Sequence, residues 1–78
     1  MGKSDETALR TVTVRAVPIE LCQLLKFAGL TESGGAAKQA IAEGSVWLNG
    51  QVETQKRKKI LVGDRVEFSG KVLTVAVG

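Results

Sequence analysis

The spacing of apolar residues predicts a strand followed by a helix in the first part of the chain. Apolar and polar residues alternate over positions 8–15, which favours a strand with Val12 and Val14 on its buried face. Pro18 suits the first position of a helix, and we expect a helix over residues 18–28. Cys22, Gln23 and Lys26 should turn away from its core stripe. That stripe has the i, i+3, i+4, i+7 spacing and consists of Leu21, Leu24, Leu25 and Ala28.

A second helix is predicted to begin at Ser33, whose hydroxyl can accept a hydrogen bond from a free N–H group of the first turn. Gly29-Leu30 and Gly44 have the residue types that end helices, because glycine readily takes the left-handed conformation. The short link between the helices should make them pack against each other. The apolar face of the second helix is narrow and consists of Ala36, Ala37, Ala40 and Ile41.

After Gly44, apolar and polar residues again alternate with a period of two, which predicts short strands joined by tight turns. Val46 and Leu48 should face the core, with Trp47 on the opposite side. Asn49-Gly50 is a strong hairpin signal.

The last third of the chain has the same alternating character. Ile60 and Leu61 are expected in the core, and Asp64 should accept hydrogen bonds from backbone in a turn. A hairpin at Ser69-Gly70 should lead into a final strand at residues 71–77, which has apolar residues on both faces and is therefore expected to be central or covered by a helix.

These elements predict an α+β fold in which two helices pack on a small, mainly antiparallel twisted sheet. The 78 residues suffice for one domain, which we assign to residues 8–78. Residues 1–7 are polar, have no periodicity and are expected to form a disordered tail.

The positive charge of the chain is concentrated in one run. There are 11 basic and 8 acidic residues, and four of the basic ones are consecutive: Lys56, Arg57, Lys58 and Lys59. The rest of the chain is close to neutral. Such a cluster attracts phosphates and releases counterions when they bind. A solvated loop that protects a sheet edge from pairing is the other interpretation, and charge alone leaves both open.

The residue types needed for most catalytic sites are missing. The chain has no histidine and one cysteine, so His-assisted nucleophiles and intramolecular disulfides are excluded. Carboxylates are scattered, and no phosphate-binding loop of the Walker type is present. We therefore predict neither an enzyme nor a bound metal or cofactor. No stretch has the length of a membrane span or signal peptide, which favours a cytoplasmic protein without membrane contact.

A set of residues between positions 19 and 68 falls in a recognisable order and spacing: Ser33, Ala37, Lys38, Ile41, Gly44, Val46, Leu48, Asn49, Gly50, Val52, Gly63, Asp64 and Val66. With these residues the chain resembles the RNA-binding domain first described in ribosomal protein S4, also called the alpha-L motif. The Ser-Gly-Gly-Ala-Ala-Lys opening and the basic run after Glu53-Thr54 are similar to small free-standing bacterial proteins of the YbcJ type.

The resemblance implies a module that docks on structured RNA, with ribosomal and transfer RNA as candidates, and that has no catalytic chemistry of its own. It also implies that Lys38 contacts RNA. Two departures are visible: Gly34 stands where many members have Arg, and Ile19-Glu20 replace the usual Arg and Asp. One common RNA contact is therefore absent.

The candidate RNA-binding residues lie at the helix junction and in the basic run. Helix N-termini bind anions, so Ser33, Gly34 and Gly35 beside Lys26 could hold a phosphate, although Gly-Gly could also serve only a tight turn. Trp47 could stack on an unpaired base or simply pack. The full set is Lys26, Ser33, Gly34, Gly35, Lys38, Lys56, Arg57, Lys58 and Lys59, with Trp47 for stacking.

Two rival functions use the same charges. The runner-up is a protein-interaction adaptor whose basic loop docks on an acidic partner, such as a ribosome-associated or RNA-processing factor. A DNA-binding module comes third, because the outward face of the second helix carries Glu43 and does not suit a recognition helix. A monomer is expected in each case.

Overall fold

The computed structural model describes residues 9–78, in which two helices pack on one face of a five-stranded sheet. The predicted tail lies outside this range. The helices are α1 (Leu21–Phe27) and α2 (Gly34–Ala42), and the strands are β1 (Leu9–Val14), β2 (Ile19–Glu20), β3 (Val46–Leu48), β4 (Gln51–Val52), β5 (Lys59–Ile60), β6 (Arg65–Phe68) and β7 (Lys71–Val77).

The main sheet has the order β1-β7-β6-β3-β4, and β2 pairs with β5 in a separate two-stranded ribbon. Only β1 and β7 run parallel among these pairs, with Val12 opposite Val75; the others are antiparallel. The final strand has a neighbour on each side, so its predicted central position is confirmed. The expected α+β architecture is confirmed as well.

The core lies between the helices and the inner face of the sheet. The small side chains Ala37 and Ala40 of α2 are buried with Leu24 and Leu25 of α1, as the alanine face predicts. Ala36, in contrast, is exposed. The buried set is Val14, Leu21, Cys22, Leu24, Leu25, Ala37, Ala40, Ile41, Val46, Leu48, Ile60, Val66, Leu73 and Val75.

The predicted C-terminal ends of the helices and the two predicted hairpins are confirmed. Leu30 N donates to Leu25 O and Gly29 N to Lys26 O, both at 3.0 Å, which is the Schellman pattern. Asn49 and Gly50 both have positive φ, as a type I′ turn requires, and so do Ser69 and Gly70.

Three expectations about the chain around α1 and β5 are wrong. Pro18 does not begin a helix; its peptide bond with Val17 is cis, and the next two residues are extended because they pair with β5. Cys22 is buried, since the β2–β5 ribbon covers the first turn of α1. Leu61 is 52% exposed, because it points away from its buried neighbour Ile60.

Candidate nucleic-acid interface

The basic run is attached to α1 through its backbone. Leu21 N donates to Lys58 O at 2.9 Å, and Cys22 N donates to Lys56 O at 3.1 Å. These N–H groups belong to the first turn of the helix, which has no partner for them within the helix. The N-cap residue Glu20 makes no side-chain capping bond. Carbonyl oxygens of the basic loop therefore cap α1.

All four basic side chains of the run remain exposed. Lys59 belongs to β5 rather than to the loop, and it lies opposite Glu20 in the β2–β5 register. Opposite charges in such cross-strand positions attract each other, so Glu20 partly balances the charge of Lys59. The other three cations lie in the connecting loop. The fold thus fixes the backbone of the run while presenting its charge to solvent.

The start of α2 has the geometry that the sequence predicts. Ser33 is extended, and its Oγ accepts from Ala36 N at 3.1 Å. The first helical bond runs from Ala37 N to Ser33 O, so the N–H groups of Gly34 and Gly35 have no acceptor within the helix.

The tight-turn interpretation of Gly34 finds no support in the geometry. Its φ is not positive, and a Cβ added there would meet no heavy atom within 4 Å beyond its chain neighbours and its own helix backbone. Neither backbone conformation nor packing therefore demands glycine at this position. The absent side chain leaves the helix start open to close approach.

A depression of about 340 Å³ joins this helix start to α1 and to the basic loop. Lys26 reaches it from α1, Lys38 from the first half of α2 and Arg57 from the loop. We refer to it as the basic depression, and its lining consists of Glu20, Cys22, Gln23, Lys26, Gly34, Lys38 and Arg57.

The basic depression brings together four of the candidate residues, Lys26, Gly34, Lys38 and Arg57. Ser33 and Gly35 adjoin Gly34 in the chain. Lys56, Lys58 and Lys59 do not line the depression. Glu20 is the one acidic residue in its lining.

Trp47 lies apart from this cluster. Its neighbours Val46 and Leu48 point inward to the helices and are buried, so Trp47 lies on the outer face of the sheet, where it is 43% exposed. Val52 and Glu67 lie opposite it on the adjacent strands. It is neither buried nor close to the predicted phosphate site, and stacking by Trp47 stays a prediction.

Two polar residues have structural roles. Arg10 donates from Nη2 to Ala28 O at 2.9 Å, at the end of α1. Asp64 Oδ2 accepts from Leu61 N at 2.8 Å, which confirms the predicted role of this carboxylate in a turn.

One exposed aromatic residue near the depression was missed by sequence reasoning. Phe27 is 58% exposed and lies one residue from Lys26. The available signal was its position, because Phe27 falls outside the apolar stripe of α1 and is therefore not expected in the core.

Other classes of site were not found in residues 9–78. No group of three or more metal-ligating Cys, Asp or Glu side chains comes together there. Neither α1 nor α2 has the length and apolar character of a membrane-spanning helix.

Two helices packed on a sheet of short hairpins form the fold of an S4-type module. The family model of the S4 domain matches residues 12–76, and the chain belongs to this family. The chain is similar to YbcJ of Escherichia coli strain K12, whose name describes a putative RNA-binding protein, with 54% identity over 57 residues that cover 73% of this chain and 81% of the relative.

A second relative and a solved structure extend the comparison. RlbA of Bacillus subtilis strain 168, whose name describes a probable ribosome maturation protein, is 36% identical over 59 residues, or 76% of this chain and 83% of its own. The solution structure of Escherichia coli YbcJ, described as revealing an alpha-L motif involved in RNA binding, has a TM-score of 0.64 and 42% identity, and covers 97% of this chain and 95% of that one. The expected family and fold are confirmed.

Proposed function

We propose that this protein is a non-catalytic RNA-binding module that docks on the backbone of structured RNA through the basic depression and the adjoining loop. One observation carries the proposal: Lys26, Lys38 and Arg57 converge from three segments on the open helix start at Gly34. A helix N-terminus with free N–H groups and nearby cations suits a phosphate.

The descriptions of two relatives also support RNA binding. YbcJ of Escherichia coli is described as having a motif involved in RNA binding, and the name of RlbA refers to ribosome maturation. Ribosomal RNA is therefore the first candidate ligand, with transfer RNA as the second. Backbone docking suits folded RNA, whose helices are recognised mainly by shape and by phosphate and 2′-OH contacts.

The basic loop is attached to α1 by backbone atoms, whereas its positive charge is on exposed side chains. Lys56 and Lys58 hold α1 through their carbonyl groups, whereas their side chains are exposed. Neutral side chains of similar length can therefore replace the cations without removing a hydrogen bond of the backbone. This makes binding testable separately from folding.

The first prediction compares two double variants that remove the same charge. Lys26→Gln with Lys38→Gln should weaken binding of an RNA hairpin about tenfold or more, because two phosphate contacts are lost, and should lower the salt slope of log K by roughly 1.5 to 2. Arg65→Gln with Lys71→Gln, at exposed positions outside the depression, is the matched control and should change affinity less than about threefold. Fluorescence anisotropy between about 50 and 200 mM salt measures both.

Equal losses in the two variants would show that only net charge matters and would contradict the proposed site. If neither variant loses affinity, the basic depression does not bind RNA. Retained capture of one acidic protein after nuclease treatment, with no RNA binding, would favour the protein-interaction adaptor.

A further inference from the structure

An apolar groove adjoins the basic depression on the other side of α1. It has a volume of about 340 Å³, and the residues that line it include Val14, Arg15, Pro18, Ile19, Gln23 and Phe27. We refer to it as the Phe27 groove. Phe27, 58% exposed, is the most exposed of the large apolar side chains in residues 10–78.

The groove and the basic depression form one continuous surface. A smaller hollow lined by Ile19, Gln23, Lys26 and Phe27 lies between them, and Gln23 and Lys26 also line the depression. The spacing of Gln23, Lys26 and Phe27 is i, i+3, i+4, which places all three on one face of α1. This helix face therefore presents an amide, a cation and an aromatic ring side by side.

Single exposed apolar residues are common on protein surfaces and need no function. Phe27 differs because its ring lies in a groove and because cations lie on both sides of it, Arg15 within the groove and Lys26 towards the depression. That combination fits a ligand with a flat apolar face and negative charge close by. A nucleotide has both, in its base and its phosphates.

We propose that the Phe27 groove binds an unpaired nucleobase of the RNA whose backbone occupies the basic depression. This inference rests on the proposed function and narrows its ligand class. Bases within a duplex are stacked on one another and cannot lie against a side chain, whereas bases in loops, bulges and ends can stack on aromatic rings. The RNA is therefore a folded one with an unpaired nucleotide next to a helical segment.

The placement of Trp47 supports this assignment of the stacking residue. Trp47 lies on the outer face of the sheet, with Glu67 opposite it on β6, and is separated from the helices by the sheet itself. An RNA held at the basic depression reaches Phe27 along α1 without crossing the sheet.

The test uses two RNA hairpins that differ by one bulged nucleotide, with 2-aminopurine as the bulged base. The wild-type protein should bind the bulged hairpin about 5- to 100-fold more tightly than the fully paired stem, the range that stacking of one base supplies. Phe27→Ala should abolish this preference and leave affinity for the paired stem unchanged. Phe27→Tyr should retain the preference because it keeps an aromatic ring.

Trp47→Ala is the matched control, since it removes the other large exposed aromatic side chain, and it should leave the preference intact. Quenching of 2-aminopurine on binding should disappear in Phe27→Ala alone. Because Phe27 is largely exposed, thermal unfolding of that variant should match the wild type and thus exclude a folding defect.

Equal affinity of the wild type for both hairpins, with salt-dependent binding retained, would overturn the inference and leave the proposed function standing. Failure to bind either hairpin would overturn both. A preference that survives Phe27→Ala, or that is lost in Trp47→Ala, would also overturn the assignment to Phe27.

Discussion

Gly34 is a position where the proposed phosphate site and local stability favour different residues. Glycine is an unfavourable helix residue because it loses more backbone freedom on folding than any other. At the first position of α2 nothing in the backbone or the packing requires it. Because glycine has no side chain, the backbone N–H group of Gly34 is uncovered on the side of Lys26 and Lys38.

Gly34→Ala is therefore expected to change stability and affinity in opposite directions. The variant should be more stable by up to about 1 kcal/mol, because the unfolded chain loses freedom. RNA affinity should fall about threefold or more, since a methyl group keeps a phosphate away from the N–H. Urea unfolding and RNA titration measure the two effects, and unchanged affinity would contradict close approach at this position.

Asn49 has a second role that its place in a hairpin turn does not reveal. Its Nδ2 donates to Asp64 Oδ1 at 3.1 Å, and its Oδ1 accepts from Arg65 N at 2.9 Å. The side chain thereby connects the turn between β3 and β4 to the turn before β6. The same residue supplies the positive φ of the hairpin and a link between two loops.

At the scale of elements, the two helices begin in different ways. The first N–H groups of α1 bond to carbonyl groups of the basic loop, whereas α2 has a serine cap followed by two glycines. At the second start, the N–H groups of Gly34 and Gly35 have no acceptor within the helix and can meet an external anion. The β2–β5 ribbon holds the loop in place beside α1, which brings Arg57 to the depression.

Amide hydrogen exchange should distinguish these two helix starts. In the free protein the amides of Leu21 and Cys22 should exchange slowly, because each donates to the loop, and those of Gly34 and Gly35 should exchange fast. Saturation with an RNA hairpin should slow the two glycine amides about tenfold or more. Ala36 and Ala37, already bonded to Ser33, provide the internal control.

If the glycine amides keep their rates in the complex, no phosphate occupies the start of α2. Fast exchange at Leu21 and Cys22 would instead show that the loop does not cap α1 in solution.

At the scale of the whole molecule, the sheet divides two surfaces. One side carries the helices, the basic depression and the Phe27 groove. The outer face of the sheet carries Trp47, Glu67 and Thr74, which alternate with buried residues of the same strands. A ligand of the helix side should leave this outer face unaltered.

An amide NMR titration with an RNA hairpin should therefore show shifts on one side alone. Lys26, Phe27, Gly34, Gly35, Lys38 and Arg57 should shift, with smaller changes at higher salt, because the contacts are ionic. Trp47, including its indole N–H, and Thr74 should stay in place, and duplex DNA serves as the comparison ligand. Shifts centred on Trp47 would move the interface to the outer face.

Sequence reasoning predicted the parts of the site that depend on neighbouring residues. Ser33 as a cap, Gly34 and Gly35 as a helix start and the exposed basic run all follow from short-range chemistry. Lys26 could be placed near them because a four-residue link joins the helices. Arg57 could be assigned to the basic run, but its place in the same depression depends on the pairing of β2 with β5.

The sequence by itself determined the hairpins, the C-terminal helix ends and the serine cap of α2, because each depends on residues within a few positions of one another. Tertiary structure alone decided that Ile19-Glu20 are extended, that Cys22 is buried, that Leu61 is exposed and that Phe27 lines a groove. These features depend on which distant segment covers which face, and local spacing does not encode that. The physical reason is that strand pairing and burial are properties of contacts between segments far apart in the chain.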